Sequence, residues 1–381
     1  AKIVTFDGNV TGGAWNIETG GGTNTAAVKF RGNATLTTLN IDKENAEATV
    51  TFDGSSAQTI AGDITVTTDL DGKLVISNTH SSGVTFSDDI GASNRKIGTV
   101  EITRNATFSS TVNAGTLDID TDAGAGTFGF RGNVQGSNWN IETGGSGDTA
   151  AVNFGGNLNL VTGLNIDKET AEATVTFDGG SAQTIAGNLT TTTDGDGIVV
   201  INNSNGVTFN DDFGVNNNGV GSLQIRSGST MTFKALAASD AITFDVTGNI
   251  DADGSNGTGG TLILNGGDAA SGTAGDAVTL ATVTGTTKLA TLTIQGGDAN
   301  QNDAGGAVTQ TNFNGNTTVT TYNVLGGDGS TDTGATGGAG GAVATHLQTG
   351  ATSATNINLT GGDGGQGNDT ANQNGGAGGA V

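Results

Sequence analysis

The chain has 381 residues, with 68 glycines, no proline and no cysteine, and its formal net charge is −24. This acidity makes nucleic acids and anionic membrane surfaces unfavourable partners, because both repel a negatively charged protein. No apolar run approaches the length that a membrane-spanning helix needs, so we expect no transmembrane segment.

The residue types favour β-strands. Thr, Val, Asn, Gly and Asp dominate, whereas the residues that fill helix surfaces, such as Leu, Glu, Lys and Arg, are scarce. Proline removes a donor from a strand ladder and is tolerated only at edges and bulges, so its absence indicates a backbone that is paired along most of its length. Composition therefore predicts an all-β protein.

Two long segments of the chain are copies of each other. WNIETGG at 15–21 returns at 139–145, and LNIDKENAEATVTFDGSSAQTIAG at 39–62 returns with two substitutions at 164–187. We therefore predict a first solenoid block, 1–126, its duplicate, 127–250, and a third, Gly/Asp-rich part, 251–381, in one continuous rod. Because strand-like or repeat residues stand at both ends, we expect a processed part or a fragment of a longer chain.

Within each block, short strand-like segments recur about every 11 residues and are separated by Gly, Asn or Asp. The Val-Thr-Phe-like members of this set end at Phe6, Phe30, Phe52, Phe86, Phe108 and Phe130. Most of their spacings lie near 22 residues, which indicates two or three short strands in each coil of a repeating structure.

The last third of the chain repeats a strand-like segment followed by GGD. After each GGD, only the loop before the next Ala-Val varies in length. A constant core with a variable loop is typical of a solenoid, because each coil must stack on its neighbours while a loop need not. We predict a parallel β-solenoid with coils of about 22 residues and variable Gly/Asp/Asn loops on one face.

Two short motifs accompany these repeats. F-x-x-N occurs at 6–9, 30–33, 130–133, 154–157 and 313–316, and GGAV occurs at 305–308, 340–343 and 378–381. Paired F-x-x-N and GGA-aliphatic repeats resemble the passengers of autotransporter-type outer-membrane proteins, including the polymorphic membrane proteins. The resemblance implies a right-handed β-helix displayed on a bacterial surface for adhesion or as a coat.

Calcium is the ligand that the Gly/Asp-rich loops fit best, because carboxylate, amide and carbonyl oxygens suit a hard cation. The candidate ligands are Asp268, Asp298, Asp328, Asp332, Asp363 and Asp369. In GGDANQNDAGGAV, 296–308, we expect the glycines to turn a corner of the coil and Asp298 and Asp303 to face solvent. Phosphate is excluded there, because two carboxylates and no cation line the segment.

Catalysis has weaker support. Two aspartate pairs, Asp88-Asp89 and Asp211-Asp212, could serve as the close carboxylates of a polysaccharide-cleaving β-helix. Each pair occupies the same place in the duplicated block, however, and an active site rarely occurs twice, so acidic turns are the preferred interpretation. We expect no enzyme, no catalytic residue and no cofactor other than calcium.

These observations predict an extracellular structural or adhesive solenoid, such as a stalk, filament or coat at a bacterial cell surface. The expected partners are further copies of the chain, associating end to end or side by side, and a surface glycan or host-cell receptor. Two alternatives stay open: a β-helix enzyme that degrades polysaccharide, and a phage-fibre or surface-layer component stabilised by calcium.

Overall fold

The structure is a computed structural model. It describes residues 2–20, 23–121, 124–145, 147–215, 218–234, 243–268, 274–275, 278–300, 303–330, 338–343, 350–366 and 377–381, with the backbone alone at 278–282 and 309–312. In this part of the chain all regular structure is β-strand, as predicted. The chain forms two compact units: Ala1–Gly179 with Ala186–Asn188, and Gly180–Ile185 with Leu189–Val381.

The strands are short and follow one another closely. The first seventeen are β1 (Lys2–Phe6), β2 (Val10–Thr11), β3 (Ala14–Glu18), β4 (Ala26–Phe30), β5 (Ala34–Asp42), β6 (Ala48–Phe52), β7 (Gln58–Val66), β8 (Asp71–Ile76), β9 (Val84–Phe86), β10 (Ile97–Ile102), β11 (Ala106–Phe108), β12 (Val112–Asp120), β13 (Gly126–Phe130), β14 (Val134–Thr143), β15 (Ala150–Phe154), β16 (Leu158–Lys168) and β17 (Ala173–Phe177). The others are β18 (Gln183–Thr191), β19 (Asp196–Ile201), β20 (Val207–Phe209), β21 (Val220–Ile225), β22 (Thr230–Lys234), β23 (Ile250–Asp251), β24 (Gly259–Asn265), β25 (Val278–Val283), β26 (Thr287–Gln295), β27 (Val308–Phe313), β28 (Thr317–Leu325) and β29 (Thr352–Thr360).

In the first unit the strands pair in parallel, each with the equivalent strand of the next coil, which makes three ladders of stacked residues. Ladder one contains Phe6, Phe30, Phe52, Ile76, Ile102, Ile119, Ile141 and Ile166. Ladder two contains Val10, Ala34, Ile60, Phe86, Phe108, Phe130, Phe154 and Phe177. Ladder three contains Trp15, Leu39, Ile64, Ile90, Val112, Val134 and Leu158. A coil therefore has three faces, and the predicted parallel β-solenoid is confirmed.

Aromatic rings fill much of the interior of the first unit. The rings of Phe86, Phe108, Phe130 and Phe154 stack along ladder two, with centroids 4.9–5.2 Å apart. All four side chains are at most 1% exposed. Because stacked strands repeat about every 4.8 Å, one phenylalanine per coil gives a continuous column of rings.

The spacing of the coils agrees with the predicted period. Successive residues of ladder one are 22 to 26 apart in sequence, except for 17 between Ile102 and Ile119. A single strand can cover two faces: β5 shifts register between Thr35 and Thr38, where it passes from ladder two to ladder three. Such bends keep the backbone paired while the coil turns a corner.

The second unit has the same stacking with longer coils toward its end. Its longest described ladder, ladder four, contains Ile185, Phe209, Phe233, Leu264, Ile294, Val324 and Leu359. Neighbours in this ladder are first 24 residues apart, and the last three intervals are 30, 30 and 35. In the sequence, the additional residues belong to the Gly/Asp-rich segments that follow each GGD.

Each F-x-x-N motif reads F-x-G-N here, and its asparagine joins successive coils. The Oδ1 atom of Asn33 accepts the backbone N–H of Thr59 at 2.8 Å, and Asn133 accepts that of Asn157 at 3.0 Å. The glycine before the asparagine lies against the previous coil: a Cβ on Gly32 would be 2.5 Å from the carbonyl carbon of Gly8. The motif therefore serves coil stacking.

In 296–308, where we expected the glycines to turn a corner, none of the glycines has the positive φ of a left-handed corner. Gly296 and Gly297 are buried and lack a positive φ. Glycine N–H groups donate to glycine carbonyls of neighbouring segments, in the order Gly379 to Gly362, Gly362 to Gly341, Gly341 to Gly327, Gly327 to Gly306 and Gly306 to Gly297, at 2.8–2.9 Å. A Cβ on Gly327 would lie 2.0 Å from the Gly297 oxygen. These glycines form a packed, hydrogen-bonded layer, which we call the glycine layer.

Candidate functional site

The aspartate pairs considered for catalysis bond to the backbone of neighbouring coils. Asp88 Oδ2 accepts the N–H of Gly62 at 2.8 Å, one coil back. Asp89 Oδ1 accepts the N–H of Thr111 at 3.0 Å and the hydroxyl of Ser110 at 2.5 Å, one coil on. The two carboxylates therefore serve opposite neighbours.

The second pair repeats part of this arrangement. Asp212, the copy of Asp89, accepts the N–H of Thr243 at 2.6 Å through Oδ1. Asp211 stands beside it, and both are half-buried. A carboxylate that accepts a backbone N–H satisfies a donor that would otherwise lose its partner where the strand ends. Stacking of coils accounts for the recurrence of both pairs.

The calcium candidates form a row in the second unit. Asp268, Asp298, Asp328 and Asp363 are exposed and stand directly after the buried glycines of ladder-four strands. The backbone N–H of each aspartate donates to the Oδ1 of the one before it, at 3.2, 2.9 and 2.8 Å in chain order. The row therefore presents one carboxylate per coil to solvent.

The carboxylate of Asp268, at one end of this row, forms an ion pair with a lysine. Lys234 Nζ lies 2.6 Å from Asp268 Oδ2. Burial raises the pKa of Asp268, but the hydrogen bonds from Lys234 and from the Asp298 N–H outweigh it and leave that pKa below its ordinary value. Asp332 and Asp369, the other two candidates, lie outside the described residues. In the described ranges no three His, Asp or Glu side chains are grouped as metal ligands, so calcium stays a prediction.

A short hairpin projects from a corner of the first unit, and sequence reasoning did not find it. Ala92 and Arg95 exchange two backbone hydrogen bonds, of 2.9 and 3.0 Å, and form an antiparallel bridge, whereas the named strands of this unit pair in parallel. Gly91, which precedes the hairpin, has a φ of +65°, and a Cβ there would lie 2.3 Å from the Asn113 oxygen. Glycine is therefore needed where the chain leaves the coil.

The second unit carries the copy of this hairpin. Val215 and Asn218 form the same antiparallel bridge, after Gly214 with a φ of +71°. The hairpin could have been found by aligning the two blocks, since Arg95-Lys96 in the first corresponds to Asn218-Gly219 in the second. A hairpin that keeps its antiparallel bridge while its charge changes is a place where a scaffold can vary a surface.

The hairpin of the first unit forms a wall between two clefts. The cleft on its N-terminal side, the Arg95 cleft, has a volume of about 360 Å³ and is lined by Asn40, Thr65, Val66, Thr67, Ala92, Asn94 and Arg95. The cleft on its C-terminal side, of about 530 Å³, is lined mainly by Asp89, Ser93 and amide side chains such as Asn113 and Gln135. Most residues that line the two clefts have polar side chains, which can hydrogen-bond to a hydroxyl-rich ligand.

His80 does not belong to either cleft. Its Nδ1 accepts the N–H of Ser82 at 3.0 Å within a turn. The other histidine, His346, lies outside the described residues.

The fold defines the chain as a repetitive parallel β-solenoid. No protein-family model, no curated protein and no solved structure matches it. The resemblance to autotransporter passengers therefore rests on the F-x-x-N and GGA-aliphatic motifs and on the fold. In the part of the chain that the structure describes, no helix is long and apolar enough to span a membrane.

Proposed function

We propose that the chain is an extracellular structural and adhesive solenoid, a stalk, filament or coat of a bacterial cell surface, without catalysis. The observation that carries this proposal is that the repeated side chains contact neighbouring coils. The phenylalanines of ladder two, the F-x-G-N asparagines and the corner aspartates all contact the neighbouring coil. Repeats that serve stacking are those expected of a protein selected for length.

The outer edge of β29 supports association between copies. Ile357 and Leu359 are 60% and 47% exposed, whereas their partners in β28, Tyr322 and Val324, are 3% and 0% exposed. An exposed strand edge with apolar side chains is a template for another strand. We propose that the edge of β29 receives the β1 edge of a second copy, where Val4 is 50% exposed.

Electron microscopy and sedimentation of the purified chain test this proposal. We expect linear assemblies that dissociate on dilution, and we expect Ile357→Lys with Leu359→Lys to abolish them. Asn358→Lys is the matched control, because Asn358 alternates with these residues and faces outward. Discrete particles at every concentration, or assemblies that survive the double substitution, would contradict the proposed association.

A calcium-stabilised phage-fibre or surface-layer component is a second candidate, supported by the row of Asp268, Asp298, Asp328 and Asp363. Calcium bound to the folded state raises the melting temperature by mass action. A melting temperature that is unchanged by chelator and by added calcium would remove this candidate. The polysaccharide-degrading alternative is tested by release of reducing ends from acidic and neutral glycans.

A further inference from the structure

Arg95 is an exposed cation whose side chain has no partner among the described residues of a strongly acidic chain. Arg95 is one of the residues that line the Arg95 cleft, and its guanidinium makes no hydrogen bond or ion pair with any described residue. Several other cations of the first unit are paired: Lys29 with Asp53 at 2.9 Å, Arg31 with Asp7 at 2.9 Å, and Lys73 with Glu101 at 2.5 Å. An unpaired guanidinium beside a polar cleft is available to an external anion.

The floor of the Arg95 cleft is a fixed polar network. The Nδ2 of Asn40 donates to Asn16 Oδ1 at 2.8 Å and to Thr67 Oγ1 at 2.9 Å. The hydroxyl of Thr65 donates to Asn40 Oδ1 at 3.1 Å. Because these bonds hold Asn40 in place, Thr67 keeps a hydroxyl proton to donate and Thr65 keeps lone pairs to accept. This pattern of donors and acceptors fits the hydroxyl groups of a sugar.

The charge around Arg95 is reinforced by its neighbour. Lys96 follows it in the chain and makes no ion pair among the described residues. The Oδ1 of the nearby Asp69 accepts the backbone N–H of Lys96 at 2.7 Å, which holds that carboxylate in place without neutralising its charge. Charges farther away are screened within about 8 Å at physiological salt, so the net charge of the chain does not prevent an anion from binding here.

We infer that the Arg95 cleft binds an acidic glycan, with a uronate carboxylate on the Arg95 guanidinium and sugar hydroxyls on Thr65, Thr67 and Asn94. The planar guanidinium matches a carboxylate with two parallel hydrogen bonds, which a neutral sugar cannot form. The inference rests on the adhesive part of the proposed function and names the class of glycan.

The duplicated block supplies a matched variant. The copy of the hairpin has Asn218 and Gly219 in place of Arg95 and Lys96 and retains the antiparallel bridge. The double substitution Arg95→Asn and Lys96→Gly therefore removes both charges with residues that the same hairpin already accommodates. Arg104→Asn is the control for a charge lost elsewhere in the first unit.

The test measures binding of the full chain to immobilised polygalacturonate, neutral dextran and dextran sulfate, in calcium-free buffer at about 0.15 M salt. We expect binding to polygalacturonate and not to dextran. The double variant should bind it at least roughly tenfold more weakly, as the loss of a charge-assisted bidentate contact predicts, while Arg104→Asn binds like the natural chain. Circular dichroism confirms that each variant is folded.

Three results would overturn the inference: no binding to polygalacturonate, equal binding by the double variant, or binding to dextran sulfate alone. The double variant should assemble normally in the electron microscope, because neither substituted residue belongs to β29 or β1. A failed glycan assay with normal assembly thus rejects the glycan site only, whereas lost or absent assembly bears on the proposed association.

Discussion

Phe130 is the copy of Phe6 in the duplicated block, yet the two residues lie on different ladders. Phe6 belongs to ladder one, where it pairs with Phe30, and Phe130 belongs to ladder two, between Phe108 and Phe154. From Phe6 the chain passes to the next face of the same coil, at Val10 on ladder two. Phe130 lies five coils after Val10 on that ladder. The duplication therefore does not span a whole number of turns, and identical sequences fill different faces of the coil.

Removing one whole coil should be tolerated. Phe108 and Phe130 are consecutive residues of ladder two, so deletion of residues 109–130 joins Phe108 to Arg131 and restores an F-x-G-N motif in register. We expect this variant to keep a cooperative β-sheet unfolding transition by circular dichroism. Deletion of residues 109–119 joins different faces and should unfold the first unit; equal stability of the two deletions would contradict the ladder assignment.

Truncation of a stacked ring should destabilise the first unit. Phe108 is fully buried, with ring centroids 5.0 Å from Phe86 and 4.9 Å from Phe130. Phe108→Ala leaves a cavity in the column and should cost about 3–5 kcal/mol of unfolding free energy in a denaturant titration. Thr107→Ala, on the outward side of the same strand, should cost under about 1 kcal/mol. Similar losses for both variants would mean that the column is not the core.

A single methyl group should disrupt the glycine layer. Gly327→Ala places a Cβ about 2.0 Å from the Gly297 oxygen, closer than any relaxed contact, and the neighbouring backbone is fixed by its hydrogen bonds. We expect a loss of about 3 kcal/mol or more, confined to the second unit and measured by hydrogen exchange. Gly378→Ala is the control, since its nearest atom would be 3.8 Å away. Unchanged protection in Gly327→Ala would show that the layer is loosely packed.

Asp118 should make stability depend on pH in an unusual direction. Burial raises its pKa, with Asp120 and Glu101 adding to the effect against a hydrogen bond from Asn140. Since the folded state disfavours the charged form, Asp118 destabilises the fold at neutral pH, and this cost disappears as pH falls through its raised pKa toward the ordinary 3.8. Asp118→Asn should therefore raise the melting temperature at pH 7 and have no effect below about pH 3.5.

Asp253 should make stability depend on pH in the direction opposite to that of Asp118. Hydrogen bonds from the Ser255 side chain and from the backbone N–H groups of Ser255 and Gly257 lower its pKa. Asp253→Asn should therefore lower the melting temperature at pH 7, and the difference should shrink as pH falls through that lowered pKa. Parallel pH profiles for the Asp118 and Asp253 variants would contradict both assignments.

The sequence predicted the fold from recurring features that a parallel solenoid must show. Val-Thr-Phe segments near a 22-residue period became the phenylalanines of ladders one and two, because identical coils stack identical side chains. The offset between Phe6 and Phe130 was not predictable from the repeat length alone. It depends on how many faces a coil has and on strands such as β5 that cover two of them.

The roles of the glycines and the hairpin that carries Arg95 were not predicted, for reasons that differ from the offset between Phe6 and Phe130. Glycine is required both at a left-handed corner, as at Gly91, and in a packed layer, as at Gly327, so composition cannot distinguish the two uses. The Asp268 row was correctly predicted as a set of equivalent positions, but its ligand is untested. The four-residue hairpin that carries Arg95 was hidden because it fits within the ordinary length of a coil.

The most direct test of the stacking uses the absence of native cysteine. Strands of adjacent coils lie about 4.8 Å apart, within the range of about 4.4–6.8 Å between the Cα atoms of a disulfide. Gly129, the copy of Thr5, pairs with Thr107 on ladder two, whereas a duplication of whole coils would place it beside Asp118 on ladder one. Oxidation followed by mass spectrometry should show a disulfide in Thr107→Cys with Gly129→Cys and none in Asp118→Cys with Gly129→Cys. The reverse result would contradict the three-faced solenoid.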